Sequence, residues 1–119
     1  MLFRSRLTVD FGSNCNRYLH LPPEAIRKMT YNTNSEIYSL GIMLWEMWYG
    51  KEAFTELKGR SLEDFLVEVE EGHRPVLARL NTQTAFKWSE IIQGCWNKDP
   101  AKRKSLRKCA DMIAALLSG

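Results

Sequence analysis

The sequence predicts a mainly α-helical fold, in which a bundle of helices surrounds a buried central helix and follows a short N-terminal strand. The segment 37–49 is apolar around almost the whole circumference of a helix, which is typical of a helix buried on several sides. Apolar residues also recur at helical spacing in three later segments. With 119 residues, the chain is long enough for one modest domain, which we place at 1–119.

The N-terminal part of the chain predicts one short strand and one short helix. β-Forming residues over 7–9 favour a strand that ends at Asp10, and turn-forming residues follow it. Pro22 and Pro23 then open a helix over about 24–29, because the N–H that proline lacks has no intrahelical partner at a first helical position.

The central helix is predicted over about 35–49. A cluster of capping residues at 32–35 precedes it, and Gly50 supplies the residue that commonly ends a helix. The apolar pattern leads us to expect that the tryptophans and two methionines pack in the core: Met43, Met47, Trp45, Trp48, Trp88 and Trp96.

Three further helices are predicted in the C-terminal half. Ser61 is the expected N-cap of the first, and Gly72 ends it. A loop at 73–80 leads to the second helix over about 86–96, and Ser105 caps the last helix. The sequence indicates no internal repeat and no second domain.

Composition and charge make several classes of protein unfavourable. The net charge of +3 is mild, whereas a dedicated nucleic-acid binder would carry a clustered basic stripe. The longest apolar run is too short to span a membrane. Three cysteines without CxxC spacing suggest neither a zinc site nor a disulfide framework, so we expect an intracellular, cytoplasmic location. We expect the C-terminal basic cluster to be a solvated helix face: Lys102, Arg103, Lys104, Arg107 and Lys108.

Four motifs occur in the sequence in this order: Asp10-Phe11-Gly12, Leu21-Pro22-Pro23-Glu24, Ser35-Glu36-Ile37-Tyr38-Ser39-Leu40-Gly41, and Cys95-Trp96 followed by Asp99-Pro100 and Arg103. Together they resemble the C-terminal lobe of a eukaryotic-type protein kinase, closest to the tyrosine and tyrosine-kinase-like groups. The resemblance runs from about Leu7 to Leu117. It implies that 1–18 is a remnant of the magnesium motif and activation segment, and that 19–119 is the helical subdomain.

The resemblance implies structural roles for Glu24, Glu36 and Arg103. In the family, residues like Glu24 and Arg103 form a buried ion pair that ties the activation segment to the helical lobe. An arginine fork binds a carboxylate through two parallel hydrogen bonds, and either charge alone would be costly to bury. Glu36 matches a family aspartate that accepts hydrogen bonds from the catalytic loop. Since that loop is absent from the sequence, an exposed acid in the first helical turn is an equal alternative.

The resemblance also implies a cofactor site at Asp10, Phe11 and Gly12. In the family, the aspartate of this motif binds the magnesium ion that bridges the phosphates of ATP. The alternative is an ordinary loop aspartate, since a lone carboxylate holds magnesium poorly unless nucleotide phosphates supply more oxygen ligands.

The sequence lacks the other kinase elements. It contains no Gly-x-Gly-x-x-Gly loop, no strand lysine and no His-Arg-Asp loop, and only nine residues separate Gly12 from Pro22. The resemblance implies that a full-length relative transfers the γ-phosphate of ATP to Ser, Thr or Tyr in a protein substrate. We expect this chain alone to be inactive and not to bind ATP and magnesium productively, because a partner N-terminal lobe is missing.

Three alternatives remain open from the sequence. The chain is a non-catalytic, pseudokinase-like interaction module, or an incomplete or spliced piece of an active kinase; a small nucleic-acid binder ranks last. We also expect residues 1 to about 18 to be poorly ordered, since the strands that they would pair with are missing.

Overall fold

The computed structural model describes residues 4–78 and 81–118. These residues form a mainly α-helical domain, as the sequence predicts, together with a two-stranded antiparallel sheet that the sequence does not predict. The first strand lies at Arg4–Arg6, and the strand predicted over 7–9 does not form. In chain order the elements are β1 (Arg4–Arg6), α1 (Pro23–Lys28), β2 (Thr30–Asn32), α2 (Thr33–Tyr49), α3 (Leu62–Glu70), α4 (Gln83–Cys95) and α5 (Leu106–Ser118). Short 3-10 turns occupy Cys15–Arg17, Thr55–Leu57 and Pro100–Lys102.

The central helix α2 has well-defined ends. Its first turn is a capping box, in which the Asn32 side chain accepts a hydrogen bond from the Ser35 backbone N–H and the Ser35 hydroxyl accepts one from the Asn32 N–H, both at 3.1 Å. Gly50 ends the helix in the left-handed region at φ 67°. The predicted start at residue 35 is therefore two residues late, because the capping residues themselves are helical from Thr33.

The core is built around α2 and includes side chains from α1, α3 and α4. It is formed by aliphatic and aromatic side chains that are almost completely buried, among them Ile26, Tyr38, Ile42, Phe54, Phe65, Leu66, Ile91 and Ile92. Helix α4 packs along α2, and α5 packs on the outside of α4. Burial of these apolar side chains supplies the main favourable free energy of folding.

The prediction that α2 is buried all round is wrong on one face. Met43 is 54% exposed, Met47 is 71% exposed and Trp48 is 41% exposed. Trp48 stacks on the half-buried Trp88 with ring centroids 5.7 Å apart. The apolar composition of the helix predicts burial on every side, but the described elements cover only part of its circumference. The two other tryptophans, Trp45 and Trp96, are buried as expected.

The N-terminal segment has a strand partner, contrary to expectation. β1 pairs antiparallel with β2, with Arg4 opposite Asn32 and Arg6 opposite Thr30. Further along, Cys15 is completely buried, and its N–H donates to the Arg60 carbonyl at 2.9 Å. The β-forming residues that follow α1 provide the partner strand that the sequence analysis did not identify. Residues 1–3 of the segment that we expect to be poorly ordered lie outside the described residues.

Within residues 4–78 and 81–118, none of the helices has the length and apolar character needed to cross a lipid bilayer.

Candidate functional site

The structure brings together the two residues that define the most specific motifs of the sequence. The Arg103 guanidinium donates one hydrogen bond to each carboxylate oxygen of Glu24, at 2.8 and 3.0 Å. Glu24 lies in the first turn of α1, and Arg103 follows the turn Pro100–Lys102. The Arg103 side chain has no exposed surface and that of Glu24 is 25% exposed, so the ion pair is largely desolvated. The pair fastens α1 to the C-terminal part of the domain.

The remaining donors of Arg103 reach backbone carbonyls from two other segments. Its Nε donates to the carbonyl of Asn97 at 2.9 Å, and Nη1 also donates to that of Asn34 at 3.1 Å. Arg103 therefore connects the start of α1, the start of α2 and the turn after α4. Every hydrogen bond to the buried cation offsets part of its desolvation penalty. The basic cluster near the C terminus is exposed or half-buried except for this residue, which departs from the expected solvated face.

A second arginine, Arg74, lies beside α2. The sequence predicts only that it belongs to the loop at 73–80. Arg74 donates from Nε to the Trp96 carbonyl and from Nη1 to the carbonyls of Val69 and His73, at 2.8–2.9 Å. It links the end of α3 to the end of α4. No signal in the sequence identifies this role, because it depends on the loop after α3 folding back onto the core.

Tyr38 of α2 lies between these two arginines. The guanidinium carbons of Arg74 and Arg103 are each 5.1 Å from the centroid of its ring, a distance at which a cation is attracted to an aromatic face. Tyr38 is completely buried. Its hydroxyl and Nη2 of Arg74 lack hydrogen-bond partners among the described residues.

Burial controls the ionisation of this cluster. Desolvation raises the pKa of Tyr38 to about 12, although the charges of Arg74 and Arg103 act in the opposite direction. Desolvation also lowers the pKa of Arg74, and the nearby charge of Arg103 adds to this effect. Tyr38 is therefore neutral at neutral pH. Two guanidinium groups and the Glu24 carboxylate surround it, which makes the cluster a structural centre and not an acid–base pair.

The predicted cofactor residues form a tight turn, and no cluster of metal-ligating side chains in the described structure includes them. Asp10 is exposed, and its Oδ1 accepts a hydrogen bond from the N–H of Gly12 at 3.0 Å. The Asp10 N–H donates to the hydroxyl of Tyr18 at 3.0 Å, and Phe11 is 47% exposed. No group of three or more potential metal-ligating side chains occurs in the described residues. One carboxylate, with one oxygen already bonded, does not by itself fit a magnesium site, since this ion needs a set of oxygen ligands in octahedral geometry.

Glu36, the third predicted structural residue, is not part of the cluster. It lies exposed in the first turn of α2. At that position its carboxylate interacts favourably with the partial positive charge of the helix N-terminus. This is the alternative that the sequence analysis left open.

A groove lies beside the segment that joins the Asp10 turn to α1. It encloses about 330 Å³ and is lined by His20, Met43, Glu46 and Lys58 among others. The Ser39 hydroxyl of α2 donates to the His20 carbonyl at 2.8 Å, and thereby fixes this segment against the central helix. The walls of the groove are both apolar and charged.

The chain matches one protein family over most of its length. The profile of the family described as protein tyrosine and serine/threonine kinase matches residues 10–113. A "Probable LIM domain-containing serine/threonine-protein kinase" of Dictyostelium discoideum is 27% identical over 108 residues, 91% of this chain and 15% of that protein. The serine/threonine-protein kinase STY17 of Arabidopsis thaliana is 28% identical over 111 residues, 93% of this chain and 18% of that protein. The high affinity nerve growth factor receptor of Rattus norvegicus is 28% identical over 97 residues, 81% of this chain and 11% of that protein.

The chain spans less than a fifth of the length of these relatives. The region that matches the family nevertheless includes the Asp10 turn, the Glu24–Arg103 pair and most of α5. This chain therefore belongs to the protein tyrosine and serine/threonine kinase family.

Proposed function

We propose that this chain is the helical part of a protein-kinase catalytic domain, which supports and presents a protein substrate while the phosphoryl-transfer machinery is supplied from outside these 119 residues. The observation that carries the proposal is the pairing of Glu24 with Arg103, which holds the end of a short activation segment against the helical core. We propose 19–119 as the helical subdomain and 1–18 as the remnant of the magnesium motif and activation segment.

The chain alone is proposed to be inactive, for a physical reason. Phosphoryl transfer depends on positioning the phosphates and neutralising their charge, with magnesium and a lysine as the main positive groups. The Asp10 carboxylate is a single oxygen ligand group, and the sequence contains no Gly-rich loop or strand lysine to hold ATP. ATP and magnesium are therefore cofactors of the whole domain, in which Asp10 would contribute one ligand.

Substrate contact is assigned to the groove that His20, Met43, Glu46 and Lys58 line in part. It adjoins the segment that the Glu24–Arg103 pair holds in place, so the ion pair and the substrate surface form one structural unit. A protein segment with a Ser, Thr or Tyr hydroxyl is the proposed occupant. We further infer an intracellular, cytoplasmic location, because all three cysteines are free thiols.

The test uses the coding sequence upstream of Met1. Where it encodes a Gly-rich loop, a strand lysine and a His-Arg-Asp loop in frame, the extended protein is expressed and assayed for magnesium-dependent phosphate transfer to a generic protein substrate. We expect activity from the extended protein, a large loss of it in the Arg103→Met variant, and none from residues 1–119. Turnover of ATP by the 119-residue chain would contradict the proposal, as would an inactive extended protein with these elements intact.

A second candidate is a non-catalytic interaction module, favoured by the exposed face of α2. Met43 and Met47 present a flexible apolar surface that water does not solvate well. In the kinase proposal Met43 belongs to the substrate groove, and the remainder of the catalytic domain covers Met47. In the interaction-module hypothesis, a separate protein covers the exposed face of α2. An upstream sequence that lacks the catalytic elements would favour the module, and Met47→Glu would then abolish partner binding without changing the stability of the chain.

A further inference from the structure

Two buried cysteine thiols, to which the proposed function assigns no role, lie in contact between α4 and α5. The Sγ atoms of Cys95 and Cys109 are 3.3 Å apart, and both residues have no exposed surface. Cys95 is the last residue of α4, and Cys109 lies in the first turns of α5. The two residues are 14 positions apart with a turn between them, so their spacing in the sequence does not predict that they meet.

We propose that Cys95 and Cys109 form a redox-modifiable dithiol, which a peroxide or a small-molecule disulfide converts to an intramolecular disulfide that locks α5 onto α4. The two sulfur atoms need to approach by only about 1.2 Å to reach the S–S bond length of about 2.05 Å. Because both thiols already point at each other, this requires a shift within one helix–helix contact and no rearrangement of the fold.

Cys95 is held in place from two sides. A Cβ atom added at Gly41 of α2 would lie 2.7 Å from the Cβ atom of Cys95, so the two helix backbones approach closely at this point. The Lys104 N–H donates to the Gly94 carbonyl at 2.8 Å, which fixes the connection to α5. The position of Cys95 is therefore set by the core, and any opening that exposes the dithiol has to come from α5.

Helix α5 is suited to such an opening. Of Leu106–Ser118, Cys109 is the only residue that is fully buried, whereas Leu106 and Leu117 are 51% and 75% exposed. The main packing partner of the helix is α4, and its residues Met112, Ile113 and Leu116 are only partly buried. Helices with few buried apolar contacts undergo local unfolding at a lower free energy than the core.

Hydrogen peroxide is the oxidant for disulfide formation between the two cysteines. One thiolate attacks a peroxide oxygen, breaks the O–O bond and becomes a sulfenic acid as water leaves. The second thiol attacks this sulfur, the S–S bond forms and a second water departs with the remaining proton. The two sulfurs together lose two electrons and the peroxide gains them. Burial and the adjacent thiol of Cys109 raise the pKa of Cys95, so the closed form is protected and oxidation proceeds through the open form.

Cys15 provides an internal control. It is equally buried and is also a free thiol, but its Sγ donates to the Leu57 carbonyl at 3.1 Å and has no cysteine beside it. Oxidation by a general route, such as global unfolding, would modify all three cysteines. Oxidation by the proposed route modifies two and leaves this one reduced.

The experiment exposes the reduced 119-residue chain to graded hydrogen peroxide, then blocks free thiols with N-ethylmaleimide in denaturant and measures the intact mass. We expect a monomer that carries one adduct and has lost two hydrogen atoms. Because Lys98, Lys102 and Lys108 lie between the two cysteines, trypsin should release two peptides joined only by the S–S bond. Dithiothreitol should restore three adducts, and the oxidised chain should have a higher Tm than the reduced one.

Several outcomes would overturn the proposal. One is the presence of three adducts at peroxide concentrations that oxidise a free cysteine peptide. The others are a disulfide that includes Cys15, dimers linked through Cys95 or Cys109, and sulfinic acid at either residue. The Cys15→Ser variant should give the same linked peptides with no adduct remaining. Cys109→Ala should lose the linked peptides and the redox-dependent Tm, and if this variant does not fold, the peptide map of the unmodified chain decides alone.

Discussion

Arg103 binds Glu24 through two hydrogen bonds of 2.8 and 3.0 Å, although 79 positions separate them in the sequence. Arg27 makes the same type of fork on the surface, with two bonds of 2.9 Å to Glu63 and two of 2.8 and 2.9 Å to Glu70. The two arginines differ in burial, since the side chain of Arg103 has no exposed surface and that of Arg27 is 36% exposed. The chain thus contains a matched pair of arginine–carboxylate contacts, one desolvated and one solvated.

We predict that Arg103→Met destabilises the chain by about 3–5 kcal/mol, because it leaves the largely desolvated Glu24 carboxylate without its cationic partner. Arg27→Met is expected to cost at most about 1 kcal/mol, since water solvates the released carboxylates. Urea unfolding followed by tryptophan fluorescence measures both. Equal losses in the two variants would show that burial does not distinguish these ion pairs.

The unpaired hydroxyl of Tyr38 gives a second prediction. Because this hydroxyl has no hydrogen-bond partner in the described part of the chain, Tyr38→Phe should leave stability unchanged or raise it by up to about 1 kcal/mol. The phenylalanine ring keeps its contact with both guanidinium groups.

Tyr18→Phe is the matched control for that variant. The Tyr18 hydroxyl accepts a hydrogen bond from the Asp10 N–H at 3.0 Å, so its removal should cost about 1 kcal/mol. The same urea titration compares the two variants. A loss at Tyr38 as large as the loss at Tyr18 would mean that the Tyr38 hydroxyl has a partner, such as a buried water that also bonds Arg74.

The raised pKa of Tyr38 predicts a loss of stability at high pH. Its pKa is about 12 in the folded chain and about 10 in the unfolded chain, so the folded state binds the proton more tightly. The stabilisation is fully present below pH 10 and is lost as the pH rises from 10 through 12, by roughly 2–3 kcal/mol in total.

The measurement compares the unfolding free energy of the unmodified chain and of Tyr38→Phe between pH 9 and pH 12. All other ionisable groups are common to both proteins, so their contributions cancel in the difference. The difference should grow in favour of the phenylalanine variant as the pH rises. A difference that stays constant with pH would show that Tyr38 titrates at its ordinary pKa.

The sequence predicts the helical framework well because local signals specify it. The capping residues before α2, Ser61 before α3 and Ser105 before α5 each precede a helix in the structure. The protein-kinase motifs also identify Glu24 and Arg103 as partners, since each buried charge requires the other.

The remaining features depend on tertiary context. The composition of α2 predicts burial at Met43 and Met47, but exposure depends on which elements lie next to a helix, and the described elements leave that face open. The position of Arg74 over Tyr38 requires the loop after α3 to fold back on the core, which no spacing rule encodes. The contact between Cys95 and Cys109 likewise results from the packing of α5 on α4.

The close approach of α2 and α4 gives the last prediction. A Cβ atom at position 41 would lie 2.7 Å from the Cβ atom of Cys95 and 3.3 Å from the Ile92 carbonyl oxygen, both of which are fixed parts of the core. Gly41→Ala should therefore destabilise the chain by about 1–3 kcal/mol, despite the higher helix propensity of alanine. At Gly94 the three atoms nearest to an added Cβ atom all belong to the flexible side chain of Lys104, which can move into solvent. Gly94→Ala should be neutral or stabilising by up to about 1 kcal/mol, as measured by thermal and urea unfolding, and a Gly41→Ala variant as stable as Gly94→Ala would contradict the close packing of these helices.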